Sequence, residues 1–195
     1  FLIYVTPVGS YFKSGLKSLN TIVTDKYHRV ATKSIGFAKA VGNYAGTLLP
    51  YKEIAENGYD EIIFLNASNE NIIDEARSAN IFVLKGNVLK TPVLQGSILP
   101  GITRDSVIKV ASKIFNLDVR EEDVSLNELM KADEVFFTGT AAVIAPVGRI
   151  VYKNNENRFK ISFEQSMTRK IREKLIDIQY ENIEDPFGWV IPLGR

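Results

Sequence analysis

Two spacings of apolar residues organise the chain. Short apolar runs mark strands, and apolar positions three or four apart mark helices. Residues 1–6 are apolar and β-rich and are closed by Pro7 and Gly9, which predicts a strand. Residues 19–23, 61–65 and 134–138 read as strands on the same grounds. Residues 80–84 predict a strand, Lys85-Gly86-Asn87 a hairpin turn, and Val88-Leu89 its return. Helical spacing links Tyr44, Leu48, Tyr51 and Ala55; Pro50 interrupts it, and Asn57-Gly58 closes it. Pro100-Gly101 precedes a helix with Val107, Ile108, Ala111, Ile114 and Phe115 on one face. Ser125, answered by Glu128, predicts a short capped helix over 125–130. Ser162 with Gln165 predicts the start of a last long helix whose inner face is Met167, Ile171, Leu175 and Ile178. Residues 10–18 and 25–34 are polar and read as loops, and 66–71 as a turn. Strands and helices mix without strict alternation, so the expected class is α+β, or an irregular α/β, rather than doubly wound.

Composition narrows the chemistry. The 195 residues are 45% hydrophobic and 24% charged, the balance of a globular chain able to bury a core. There is no cysteine, which excludes disulfides, thiolate nucleophiles and thiolate zinc sites. With His28 as the single histidine, a multi-histidine metal site is excluded too, and no metal is expected. The net charge is +1, with no basic block pointing to nucleic acid. No apolar run is long enough to cross a membrane, and no signal-peptide layout is present. A reducing, cytoplasmic setting is the default expectation, an organelle being compatible with it. The chain opens on Phe1-Leu2-Ile3-Tyr4-Val5 rather than methionine, which suggests that the protein begins further upstream.

Four segments carry candidate chemistry. Phe37-Ala38-Lys39-Ala40-Val41 sets one lysine among small and apolar residues. Apolar surroundings disfavour the ammonium form, and a neutral amine is what a carbonyl compound needs to form a Schiff base. The plainer reading is a stem lying along the surface with its ammonium in water. Pro100-Gly101-Ile102-Thr103 opens a helix whose free N–H groups and positive dipole end suit a phosphate. An ordinary capped helix is the alternative. Phe137-Thr138-Gly139-Thr140-Ala141-Ala142 runs a strand into small residues that let a ligand approach the backbone, or else forms a common glycine bulge. Ile72-Ile73-Asp74-Glu75-Ala76-Arg77 offers two acids, one of which could point inward. A buried carboxylate needs a positive partner, either a protonated pyridine nitrogen or, more simply, Arg77. His28 and Arg29, ahead of the lysine, read as exposed loop residues.

In register, these pieces resemble the class IV (fold type IV) pyridoxal-phosphate aminotransferases, and the branched-chain amino acid aminotransferases in particular. The resemblance rests on Lys39 with Gly42-Asn43-Tyr44, Glu75 with Asn80-Ile81-Phe82, Thr91-Pro92, Ile98 through Arg104, Glu134-Val135-Phe136 and Gly139-Thr140-Ala141. Pro7-Val8-Gly9, Asp177-Ile178-Gln179-Tyr180 and Trp189 also match, so the likeness spans nearly the whole chain. It implies an α+β fold of the D-amino acid aminotransferase-like kind, with irregular barrel-like sheets flanked by helices. It further implies that residues 39–195 form the cofactor-binding large domain, that 1–38 supply entry strands and an interdomain region, and that a smaller N-terminal domain lies outside this sequence.

The resemblance also implies roles. Lys39 would form the Schiff base with pyridoxal 5'-phosphate, Tyr44 would bond the ring's phenolic oxygen, and Glu75 would pair with the pyridine nitrogen. The amides of Ile102 and Thr103 and the Thr140 side chain would hold the phosphate; the amides of Thr140 and Ala141 would face the substrate carboxylate. The implied reaction exchanges amino groups between leucine, isoleucine or valine and 2-oxoglutarate. The alternatives are a sibling enzyme, such as a D-amino acid aminotransferase or aminodeoxychorismate lyase, and an inactive isolated domain. A homodimer is implied. The chain departs from the family at Val41, where many members carry glycine, and at Arg77, where they usually carry a small residue. Ala142 and Ala145 stand where vertebrate members carry a redox cysteine pair.

Overall fold

The computed structural model describes residues 2–7 and 17–191. Nine strands form one mixed sheet: β1 (Leu19–Thr24), β2 (Glu61–Asn66), β3 (Asn69–Ala76), β4 (Asn80–Lys85), β5 (Val88–Thr91), β6 (Asp118–Glu121), β7 (Glu134–Gly139), β8 (Val143–Tyr152) and β9 (Asn155–Arg158). The order is β3-β2-β1-β8-β7-β4-β5-β6, with β9 on β8. β1 runs parallel to both neighbours, β2 and β8, while β8, β7, β4 and β5 are successively antiparallel. The sheet curls into a half-barrel. Near its ends, Ile72 bridges to Ser125, and Ala76 N–H donates to Ala79 O where β3 turns into β4.

Alternation along the strands sorts the core into two sides. On β4, Ile81 and Val83 enter the concave core with Ile63, Leu65, Val135, Phe137 and Ile150. Phe82 and Leu84 face the other way, against α3 (Ile102–Lys113) and α5 (Met167–Gln179), through Val107, Val110, Ile171, Leu175 and Ile178. Phe82 and Phe136 stack there at 5.1 Å. α2 (Leu48–Glu56) seats Ile54 on Ile62 and Phe64 of β2, so β2 is buried at every position. α1 (Val41–Ala45) and α4 (Leu126–Met130) are single short turns of helix.

The α+β expectation holds, and the short helix at 125 has both halves of its capping box. Several details differ. Residues 2–6 are not a strand: Leu2, Ile3, Tyr4 and Val5 are exposed and pair with no strand among the described residues, and extended chain needs a neighbouring strand to bond to. Residues 1 and 8–16, with the expected Gly9 closure and most of the 10–18 loop, lie outside the described residues. Pro50 does not kink a helix: α2 is separate from α1 and begins at Leu48, within two residues of the start that Pro50 predicts. It occupies the third position of α2, where the missing N–H takes no helical partner. The last helix is capped by Ser166, whose hydroxyl accepts from Arg169 N–H, and Ser162 only opens a 3-10 turn. Buried Glu134 also accepts from the N–H groups of Met167 and Thr168 at 2.8 Å, so that helix start is tied to β7.

Candidate active site

Between β1 and α1 the chain makes a series of turns that ends at Lys39. Three contacts fix this loop. Gly36 lies so close to Ser97 that a Cβ would sit 2.3 Å from the Ser97 carbonyl oxygen. Phe37 N–H donates to Gly96 O at 3.1 Å. The buried Asn43 amide, on α1, donates to Ile35 O at 2.8 Å and Ala38 O at 2.9 Å. Lys39 therefore leaves a braced loop. Its surroundings are not the apolar wrapping its sequence neighbours suggest: the residue is exposed, because Phe37 and Val41 turn outward beside it. Val41, at 84% exposure, opens α1 without constraining it.

Glu75 projects from β3 into the interior. Its partner is neither Arg77 nor solvent. Arg29 Nη1 lies 2.8 Å from Glu75 Oε1, and both side chains are almost fully buried. Arg29 also donates to Ser97 O and lies over the Tyr44 ring at 5.7 Å. Arg29 is thus not the exposed loop residue that its polar segment predicts. Its partner lies far along the chain, so no local pattern announces its burial. The Asn80 amide donates to Glu75 Oε2 at 3.0 Å and to Leu99 O at 2.8 Å, and Leu99 N–H donates to Glu75 Oε1. Burial pushes the Glu75 carboxyl up to about 8 even though Arg29 opposes the rise. The cations around it thus under-compensate this carboxylate, which borders a hollow. Asp74 is buried too and accepts from Asn66 Nδ2 at 2.8 Å. Arg77 instead stacks 4.0 Å over Tyr51 and lies 3.7 Å from Glu61. His28 is exposed, with its ring 3.6 Å from Glu70.

The α3 start completes the wall. Gly101 is its N-cap, and Asp105 N–H is the first in the helix to reach back, to Gly101 O. The Ile102 and Thr103 N–H groups precede it and have no helical acceptor. A Cβ on Gly101 would meet Asn80 Oδ1 at 2.2 Å, so the residue that bonds Glu75 also sets the helix start. Opposite, Thr138 and Gly139 end β7, and Thr140 and Ala141 form the exposed turn to β8.

These residues line one hollow. A cavity of about 210 Å³ is bounded by Arg29, Lys39, Tyr44, Glu75, Asn80, Ile102, Thr103, Thr138 and Thr140, among others. A second, of about 240 Å³, shares Lys39, Thr138 and Thr140 and adds Ala141, Phe137 and Glu61. Lys39 thus stands between two adjoining spaces. All seven residues singled out from sequence border one or both. Arg29 and Asn80 are the additions: Asn80 lay inside a motif but had no assigned role. Among the described residues no group of His, Asp or Glu gathers as metal ligands would, and no helix is long and apolar enough to cross a membrane.

The family model described as amino-transferase class IV matches residues 2–150, and the chain belongs to that family. It is 40% identical over 194 residues to a chloroplastic branched-chain amino acid aminotransferase of Humulus lupulus, aligning all of this chain with 47% of that protein. Among solved structures, the branched-chain amino acid aminotransferase of Escherichia coli superposes with a TM-score of 0.75 at 35% identity, over 88% of this chain and 56% of that one. The pyridoxal-phosphate form of the Thermobaculum terrenum enzyme gives 0.78 at 30% identity, over 87% and 53%. The chain spans about half the length of the curated relatives it matches.

Proposed function

We propose that this chain is the cofactor-binding large domain of an aminotransferase that exchanges amino groups between branched-chain amino acids and 2-oxoglutarate, using pyridoxal 5'-phosphate. One observation carries the reading. A lysine amine, a buried carboxylate, a helix start and a Gly-Thr-Ala turn, drawn from four distant segments, border one hollow. We place the cofactor-binding domain at residues 39–195, with 1–38 supplying the strand β1 that enters its sheet and an interdomain region.

The cofactor, when bound, supplies an aldehyde that condenses with amines and a ring that takes up the electrons left when a carbon loses its proton. The residues supply the rest. Lys39 reaches the hollow from its braced loop, so its amine can hold the aldehyde carbon and, once free, carry a proton between neighbouring carbons. Glu75 holds a proton at the pyridine nitrogen, which keeps the ring electron-poor. Tyr44 donates to the phenolic oxygen. Two free amides at the α3 start, Ile102 and Thr103, with the Thr140 hydroxyl, fix the phosphate as a handle. The amides of Thr140 and Ala141 orient the substrate carboxylate.

Exposed Ile35, Phe37 and Val41 lie within four residues of Lys39, and exposed Ile102 opens α3. That apolar rim supports a homodimer, since patches of this kind mark interaction surfaces. The absence of cysteine suits a reducing compartment, cytoplasm or organelle alike.

Absorbance and substrate profiling test the proposal. The full-length protein with pyridoxal 5'-phosphate should show an absorbance band at longer wavelength than the free cofactor, lost in Lys39→Ala, and should turn over leucine, whereas the 195-residue chain alone should show little or no turnover. A band that survives Lys39→Ala refutes the assignment of the amine. Turnover of D-alanine or aminodeoxychorismate with none of leucine moves the protein to a sibling activity.

A further inference from the structure

Five buried threonines lie within the described residues: Thr21, Thr47, Thr91, Thr138 and Thr168. Four of their hydroxyls are satisfied inside the protein. Thr21 donates to Arg149 O, Thr47 to Tyr44 O, Thr91 to Ile81 O, and Thr168 to the Glu134 carboxylate. Thr138 is the exception: it is 1% exposed, and its Oγ1 has no hydrogen-bond partner. A buried hydroxyl without a partner is unfavourable, and the strand leading to it is apolar, so valine would pack there at no such cost.

The position says what the hydroxyl serves. Thr138 borders both hollows beside Lys39. On the sheet it is the cross-strand partner of Asn80, so the two side chains leave the same face. Asn80 there holds Glu75 Oε2. Phe137 and Ile81, one residue away on each strand, face the concave core instead. Thr138 therefore shares its sheet face with Asn80, the residue that holds Glu75, and stands two residues before the exposed Thr140 turn.

We infer that Thr138 is a cofactor-binding residue whose hydroxyl hydrogen-bonds the polar periphery of the bound pyridine ring at its Glu75 end. This deepens the proposed function and rests on it. Binding would satisfy an atom left unpaired without ligand, so the hydroxyl favours the loaded state over the empty one. A threonine serving the fold alone would do the reverse.

Thr138→Val removes the hydroxyl and keeps the branched shape, while Thr138→Ser keeps the hydroxyl. Cofactor affinity is measured by titration with pyridoxal 5'-phosphate and with pyridoxal, and thermal unfolding is measured without ligand. Thr138→Val should weaken both ligands by the same factor, about five- to tenfold, the loss of one hydrogen bond. Its cofactor-free melting temperature should equal or exceed that of the wild type. Thr138→Ser should bind close to wild type. Undiminished binding by Thr138→Val overturns the inference, as does a loss confined to the phosphate ester or a lowered cofactor-free melting temperature. A wild type that takes up no cofactor overturns the proposed function, and this inference with it. The wild-type titration separates that failure from failure of the inference alone.

Discussion

Arg29 and Glu75, 46 positions apart in sequence, meet as a buried ion pair at 2.8 Å on the wall of the hollow. The pair fixes the Glu75 carboxyl on the cavity wall before any ligand arrives. Removing one partner of such a pair strands the other charge. Arg29→Met should therefore destabilise the cofactor-free protein by about 3–5 kcal/mol near pH 8. Adding Glu75→Gln should recover most of that loss. Denaturant titration of the single and double variants measures both. Equal stability for the two would mean that the contact contributes nothing.

The second prediction concerns pH. Glu75 has a folded pKa of about 8 against a reference value of 4.5. Between those values the folded state holds a proton that the unfolded chain has released, so stability falls as pH rises. The contribution is fully present below about 4.5 and is lost as pH passes through about 8. Burial raises Glu61 and Asp74 in the same sense. Glu75→Gln should thus flatten the pH slope of unfolding stability without abolishing it. An unchanged slope across that window would mean that Glu75 stays ionised throughout.

A third prediction isolates the loop that presents Lys39. Asn43 is buried and donates to both Ile35 O and Ala38 O. Asn43→Ala frees two carbonyls at once and should cost about 1–3 kcal/mol. Faster amide hydrogen exchange at residues 35–40, with α3 and α5 unaffected, would mark the effect as local. Lys39 keeps its chemistry in this variant but loses its aim, so reaction with the cofactor should slow.

The sequence was most informative where a signal is local. The Ser125–Glu128 box, the hairpin turn at Gly86 and the helix after Gly101 each sit within a few residues of their cause. β3, β6, β8 and β9 escaped: β6, β9 and the start of β3 are polar segments at or near the sheet's edges, where no apolar run is needed, while Pro146 and Gly148 break the apolar run of β8. Arg29 escaped for a different reason. Lysine and arginine in a polar stretch read as solvated, and only a partner brought close by folding reverses that. The candidate site was legible because each contributing segment carries its own turn or helix-start residue. The exposure of Lys39 was not, since side-chain direction in a loop has no period.

The first strand in chain order, β1, occupies an inner place in the sheet, third from one edge, and one of its two neighbours is β8. Leu19 aligns with Val147, so that seam cannot form until most of the described chain exists. Contacts of such long sequence separation carry a heavy loop-closure cost and slow folding. On the ribosome, Leu19 through Thr24 would wait with one flank unpaired. A nascent chain of this design is most open to wrong pairing late in its synthesis, which is when a chaperone would matter to it.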